Sequence, residues 1–372
     1  MNRRLLLILF GALRLYSPTI AQDKDCEQIL VQADADFNAG KFYEIPSLLG
    51  PCLERDFSNE QKVRAYLILT QAYLIMDDPA AADDSYLKLL KADPEYVANP
   101  ARDPIDVYYL SKKFTSTPVF TPHLRAGFNV SRPRVIYPVV TSGTPLDRQE
   151  IFKAGFQFGV GMDWNLDNHW SICAEGNFVT RAFKRVSKGY AKNDGQQMQE
   201  RQSGFDIPMY IKYSDDSGKV RPFGYMGFAV NLLTSANVSL QFDNTTPSNP
   251  AVGTKQTPNV NEKILYKRNF LNRSLVIGGG AKYKIGRDFV YADLRYMIGL
   301  SNLTKPENNF YSNKGDFDPS ITNYQFASDF FKLDNLSLSF GYIRPIYDPR
   351  RKTKPRLGNL FKKKSVKEKG KS

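Results

Sequence analysis

Two hydrophobic periods divide the chain. Residues 24 to 96 carry apolar side chains at helical spacing, and from Leu124 onward such side chains recur at every second position. That change is expected where half-exposed strands replace helices. The clearest strand is predicted over Phe152 to Trp164. There Phe152, Ala154, Phe156, Phe158, Val160, Met162 and Trp164 alternate with Lys153, Gly155, Gln157, Gly159, Gly161 and Asp163. A soluble sandwich buries its apolar face and has little use for so many aromatics on one strand, whereas a membrane barrel turns that face to lipid. Seven more segments alternate in the same way: Leu124 to Val130, Trp170 to Phe178, Phe205 to Tyr213, Met226 to Leu232, Leu275 to Tyr283, Val290 to Leu300 and Leu336 to Tyr342. Eight strands are therefore predicted.

The connections between these strands alternate in length. Long ones are expected over 132 to 150, 184 to 203, 234 to 273 and 302 to 335, and tight turns at Asp167-Asn168, Asp215 to Gly218 and Gly286-Arg287. Outer-membrane barrels have short periplasmic turns and long external loops. The pattern thus predicts an outer-membrane location with both termini periplasmic. No segment supplies 18 consecutive apolar residues, so an integral membrane form has to be a barrel.

In the helical part, Gly40-Lys41-Phe42 is predicted as the turn between helices of about residues 24 to 39 and 41 to 53, with Pro46 limiting or kinking the second. Next come Tyr66, Leu69, Tyr73, Ala82, Tyr86 and Pro94, a spacing that resembles the tetratricopeptide repeat, with Thr70 where that motif has Gly. The small residue on the second helix lets the pair approach closely. Two hairpins are fewer than an independent solenoid needs. The module is read as a protein-docking element, with a cap or spacer on the barrel as the alternative, and its tyrosine stripe as internal packing. Residues 97 to 118 follow as a connector with a short helix over Asp106 to Phe114.

Arg3 and Arg4, the apolar run Leu5 to Phe10 and Thr19-Ile20-Ala21 predict a signal peptide ending at Ala21, with a short membrane anchor as the alternative. Cys26 lies too far past that run to carry a lipid. Export to an oxidising compartment permits one disulfide. Cys26 and Cys52 fall near the far ends of the first hairpin and are the candidate pair, against two buried reduced thiols; Cys173 is left unpaired on a strand. Neither spacing nor neighbours suggest a metal site, and no cofactor is expected.

The formal charge of +13 is concentrated at the ends of the chain. Residues 350 to 372 hold 11 Lys or Arg, among them Arg350, Arg351, Lys352, Lys354, Arg356, Lys362, Lys363 and Lys364, against one Glu. With Arg3, Arg4 and Arg14 discounted as well, the body is close to neutral. A nucleic-acid partner is therefore not expected. The tail is read as a tether to anionic headgroups, peptidoglycan or an acidic partner, or else as a solvated extension.

Alternation turns Arg125, Lys153, Asp163, Glu175, Asp206, Lys212, Lys282, Asp293 and Arg295 into the barrel. An eight-stranded interior is just wide enough for side chains to fill, and buried charges need partners. A salt-bridged plug is expected, with Glu175, Asp206 and Asp293 facing Arg125, Lys212 and Arg295; a conducting or gated path is the alternative. His123 and His169, the only histidines, both map to the short-turn end. No nucleophile-histidine-acid arrangement can form at the external rim, so no enzyme is expected. Gly278-Gly279-Gly280 falls within a strand and is read as close packing, not as a phosphate cradle.

Phe205-Asp206-Ile207-Pro208-Met209-Tyr210-Ile211-Lys212-Tyr213, Arg221-Pro222-Phe223-Gly224-Tyr225 and Leu294-Arg295-Tyr296-Met297-Ile298-Gly299-Leu300 resemble small Bacteroidetes outer-membrane β-barrel proteins of the PorT-like kind. The resemblance covers about residues 119 to 347 and implies fold more than function. The helical module and the chain past the last strand depart from it.

The expected fold is α+β: N-terminal α-helical hairpins, tetratricopeptide-like, followed by an eight-stranded antiparallel transmembrane β-barrel. Its parts are a signal peptide (1 to 21), a periplasmic helical module (22 to 96), a connector (97 to 118), the barrel (119 to 347) and a basic periplasmic tail (348 to 372). The expected function is a non-enzymatic barrel in outer-membrane lipid that anchors a protein-interaction module for an envelope protein partner in secretion, motility or uptake. The alternative is a narrow transport or ligand-binding barrel that recognises molecules through its external loops.

Overall fold

The computed structural model describes residues 23–55, 57–139, 147–188, 195–244, 255–256, 259–324 and 326–352. The predicted signal peptide and the tail residues Lys354, Arg356, Lys362, Lys363 and Lys364 lie outside them. The chain divides into two compact units, residues 1–117 together with 347–372, and residues 118–346. Among the described residues no helix is long and apolar enough to cross a membrane.

The first unit is built from α1 (Asp23–Asn38), α2 (Ile45–Arg55), α3 (Asn59–Ile75), α4 (Pro79–Ala92) and α5 (Ile105–Ser111). The first predicted hairpin is present, but its second helix starts four residues later than expected. Gly40 takes a positive φ of 80°, and the turn runs on to Glu44 so that Ile45, Leu49 and Cys52 face inward. Pro46 therefore sits in the first turn, where a missing N–H costs nothing; the proline inside the helix is Pro51. Ser58 and Gln61 form a reciprocal capping box at the start of α3. The resulting core joins Leu30, Ala33, Ile45, Leu49, Ala65, Leu69 and Ala72. A second core gathers Ala82, Tyr86, Leu89, Val107, Leu110 and Phe114. Thr70, where the repeat motif has Gly, is fully buried and satisfies its hydroxyl on the Tyr66 carbonyl at 2.7 Å.

The connector and the start of the tail belong to this unit rather than standing apart from it. Phe114–Thr115 forms a short strand, β1, paired antiparallel with Arg350–Arg351, which as the last strand is β12. Arg351 also reaches Asp83 at 3.2 Å, and the Tyr347 hydroxyl donates to Glu95 at 3.0 Å. A freely solvated extension is thus corrected at its first residues: backbone pairing and an ion pair hold Arg350 and Arg351.

The second unit contains β2 (Phe120–Tyr137), β3 (Asp147–Asn165), β4 (Trp170–Lys188), β5 (Gly195–Ser214), β6 (Val220–Asn244), the short β7 (Lys255–Gln256) and β8 (Val260–Lys263), then β9 (Leu271–Ile285), β10 (Asp288–Gly299), α6 (Pro319–Tyr324) and β11 (Phe330–Ile343). The eight long strands pair antiparallel in the cycle β2-β3-β4-β5-β6-β9-β10-β11, and pairing between β11 and β2 closes it. The short turns stand where the sequence predicts them. The first three long connections do not: β2 runs to Tyr137 and β3 starts at Asp147, β4 and β5 run to Lys188 and from Gly195, and β6 runs to Asn244. At 18 to 25 residues, β2 to β6 exceed the 9–11 that cross a bilayer. Beyond the lipid band the outer face is no longer selected for apolarity, so the outward apolar alternation ends while the backbone ladder continues.

Burial is inverted relative to a soluble protein. Phe128 and Phe228 are 65% and 66% exposed on the outer face, whereas Glu175 and Arg295 are 4% and 3% exposed inside. Large apolar side chains outside and charges inside fit a barrel whose outer solvent is lipid.

Candidate functional site

The barrel interior is filled in layers, each held by cross-strand contacts of inward residues. At its centre Glu175 on β4 receives Arg125 from β2 at 2.9 Å and Arg295 from β10 at 2.7 Å. Arg125 also reaches Asp293 at 3.3 Å and the Ser339 hydroxyl at 2.6 Å. The hydroxyls of Tyr210 and Tyr225 donate to Glu175 and Asp293. Their rings stack with centroids 4.4 Å apart, and the Arg295 guanidinium lies over both, 5.3 and 5.1 Å from the centroids. Gly278 makes room for this stack, since a Cβ there would lie 2.5 Å from the Tyr225 ring. The glycine run therefore serves packing.

Of the nine charges that alternation turns inward, the structure brings Arg125, Glu175, Asp293 and Arg295 together. Asp206 belongs to a different layer, paired with Arg181 and accepting from Asn231 at 2.8 Å. Lys212 pairs with Asp163. Lys282 pairs with Asp216 of a tight turn at 2.8 Å. Lys153 is half-buried opposite Ala182, beside a register shift between Lys153 and Gln157, and makes no ion pair among the described residues. The shift breaks the alternation on which its inward assignment rests. Alternation does place Tyr210 inward, but as an aromatic it invites assignment to lipid, and the charge count passes it over.

Toward the loop end the interior turns apolar. Phe183, Met198, Leu233, Leu240, Ile264, Leu303, Phe331 and Leu333 form one cluster made by strand extensions and loop segments together. Within it Arg268 is bound by Glu200 at 2.7 and 2.9 Å, and Lys267 by Asp318, all four buried. Burial would raise the Asp318 carboxyl, but hydrogen bonds from Lys267 and Ser320 hold it below its usual range. Asp329 binds Arg148 and Arg185 nearby. None of these partners is legible in the sequence, because they lie where the hydropathy alternation has faded.

Among the cavities of this interior, one lined by His123, Glu175, Tyr210, Arg295 and their neighbours measures about 10 Å³, and another near Arg181, Asn272 and Asn335 about 30 Å³. Each is the size of a water or two. Purified protein in planar bilayers is therefore expected to show no steady, large single-channel conductance; a stable open level would contradict the filled interior.

His169 lies in a tight turn, with Nδ1 3.1 Å from the Ser214 carbonyl, and His123 points into the barrel. In the same turn the Asp167 carboxylate accepts from the Trp170 and His169 amides at 2.7 and 2.8 Å, which holds it below its usual range. In the helical unit Tyr86 packs between Tyr96 and Phe114, and burial pushes its phenol up to about 12. It is core rather than a ligand-facing ring. Cys26 and Cys52 are joined, Sγ to Sγ at 2.10 Å.

No curated protein matches the sequence. Solved structures that resemble it include Neisserial surface protein A, 11% identical, covering 61% of this chain and 97% of that one at a TM-score of 0.28. OprG of Pseudomonas aeruginosa is 10% identical over 64% and 99% at 0.25. The outer membrane enzyme PagL is 16% identical over 60% and 99% at 0.21. Nothing about activity passes from them to this chain. The model of the outer membrane protein beta-barrel domain matches residues 120–305, half of the sequence. With that match, the chain belongs to the outer membrane protein beta-barrel domain family.

Proposed function

We propose that this outer-membrane protein is a non-enzymatic, non-conducting anchor that presents its helical unit in the periplasm to an envelope protein partner, in a secretion, motility or uptake assembly. The observation that carries this reading is the composition of the helical unit, which contains the chain on both sides of the barrel. The described residues before 118 and after 346 fold into one body, tied by the β1–β12 pairing and the Arg351–Asp83 contact. Both crossings into the barrel are at the end of the short turns, which outer-membrane barrels place in the periplasm. A filled interior leaves the barrel nothing to pass and suits it to holding. The likeness of α3 and α4 to a tetratricopeptide hairpin, and of the strands to PorT-like Bacteroidetes barrels, belongs to the same reading.

The topology is tested with single cysteines read by a membrane-impermeant maleimide in intact cells. Tyr43→Cys, at 84% exposure on the helical unit, is expected to label only after the outer membrane is permeabilised; Phe317→Cys, 58% exposed in the last long connection, is expected to label in intact cells. Labelling at position 43 in intact cells would sink the proposal. A photocrosslinker at the same position is then expected to capture an envelope protein.

A further inference from the structure

We propose that His123, Asp163 and Cys173 form a three-ligand site for a zinc ion, or a metal of similar preference, inside the short-turn end of the barrel. The three residues come from β2, β3 and β4 and are all buried. Asp163 and Cys173 are direct cross-strand partners, and His123 lies opposite Gly161, two residues away on β3. Their donor atoms all lie within 4.8 Å of one another.

Two unpartnered atoms point to an occupant. His123 Nδ1 and Asp163 Oδ1 are both buried without a hydrogen-bond partner, and they face each other at 3.9 Å. Leaving such atoms unsatisfied is costly, and 3.9 Å is too long for a hydrogen bond between them. The remaining atoms of both residues are engaged. Lys212 binds Asp163 Oδ2, which leaves Oδ1 as a single donor. Glu175, fixed by two arginines, lies 3.4 Å from His123 Nε2. With Nε2–H donating to that carboxylate, the lone pair is on Nδ1, the carboxylate-histidine arrangement that orients a metal-binding imidazole. Gly161 accommodates the ring, since a Cβ there would lie 2.3 Å from His123 Nε2.

Nitrogen, carboxylate oxygen and sulfur are the donor set that zinc takes, at about 2.0–2.3 Å. In a tetrahedron such donors stand about 3.3–3.6 Å apart, so closing this cluster takes side-chain shifts on the order of 1 Å. Binding converts the Cys173 thiol to thiolate and releases its proton to solvent. The ion, the thiolate and the carboxylate then sum to zero, and Lys212 on Asp163 Oδ2 leaves one positive charge beside them. An ion here would link three strands at the short-turn end of the barrel. Sequence spacing gives no sign of the cluster, because residues 40 and 10 positions apart meet only through strand register.

The test uses the full, tag-free protein refolded in detergent with its disulfide intact. Cys173 is then the only free thiol of the chain. Titration with cobalt(II) is expected to give a thiolate-to-metal band in the near ultraviolet that zinc abolishes, and dialysed protein is expected to retain about one zinc per chain. Cys173→Ser is expected to lose the band, and His123→Ala to weaken binding by more than the roughly 10–100-fold typical of outer-layer partners. Heat-dependent gel migration reports whether each variant folds. If a variant does not fold, the wild-type band alone decides, since no other thiol can produce it. A folded wild type without the band under excess cobalt, or zinc retention unchanged in both variants, would overturn the proposal.

Discussion

Glu175→Leu is expected to lower the stability of the barrel by about 3–5 kcal/mol, the range found when one partner of a buried ion pair is removed. Two guanidiniums, of Arg125 and Arg295, converge on this carboxylate, and the Tyr210 hydroxyl donates to it as well. Removing it leaves Arg295 no carboxylate nearer than Asp293 at 4.0 Å, with only neutral tyrosine hydroxyls closer. The cost comes from stranding a buried charge, not from losing a favourable contact, so an isosteric Glu175→Gln should fall between wild type and Leu. The measurement is the urea concentration at which the heat-modifiable, folded band is lost in detergent or lipid. An unchanged midpoint for the Leu variant would show that water reaches the arginines and that the interior is not sealed.

Replacing both Cys26 and Cys52 by Ser is expected to destabilise the helical unit by about 3.5 kcal/mol, from the chain entropy released when a loop of this length is no longer closed. The bridge spans 26 residues and joins α1 to α2, whose shared core is small. Thermal unfolding of the full chain, followed by far-ultraviolet circular dichroism, should show the helical transition shifted down while the barrel transition stays in place. Addition of reductant to the wild type should reproduce the shift. A helical transition insensitive to both changes would show that packing of α1 and α2 against α3 suffices by itself.

Most of the barrel was legible in advance because lipid imposes a rule on every residue it touches. Phe128, Phe156, Met209 and Phe228 alternate with polar neighbours for that reason alone, and each faces outward in the structure. The rule stops where lipid stops. Past Val130 on β2 and Phe178 on β4 the strands continue without a hydropathy signature, and sequence reading turns them into loops. The helical hairpins were legible from their own spacing, except at α2, where the length of a turn rather than the apolar pattern sets the start of the helix.

The sequence by itself determined the strand count, the turn positions, the inward parity of most charges and the neutrality of the body beneath a basic tail. These follow from local period and composition, which each residue carries regardless of its distant partners. Only the tertiary structure decided which inward charges meet. Register and strand tilt placed Asp206 with Arg181 and Asp163 with Lys212, and a bulge removed Lys153 from the network. It also decided that the start of the basic tail returns to the helical unit, and that His123, Asp163 and Cys173 converge. Pairings of this kind depend on closing loops of tens to hundreds of residues, and a one-residue shift in register reassigns every partner.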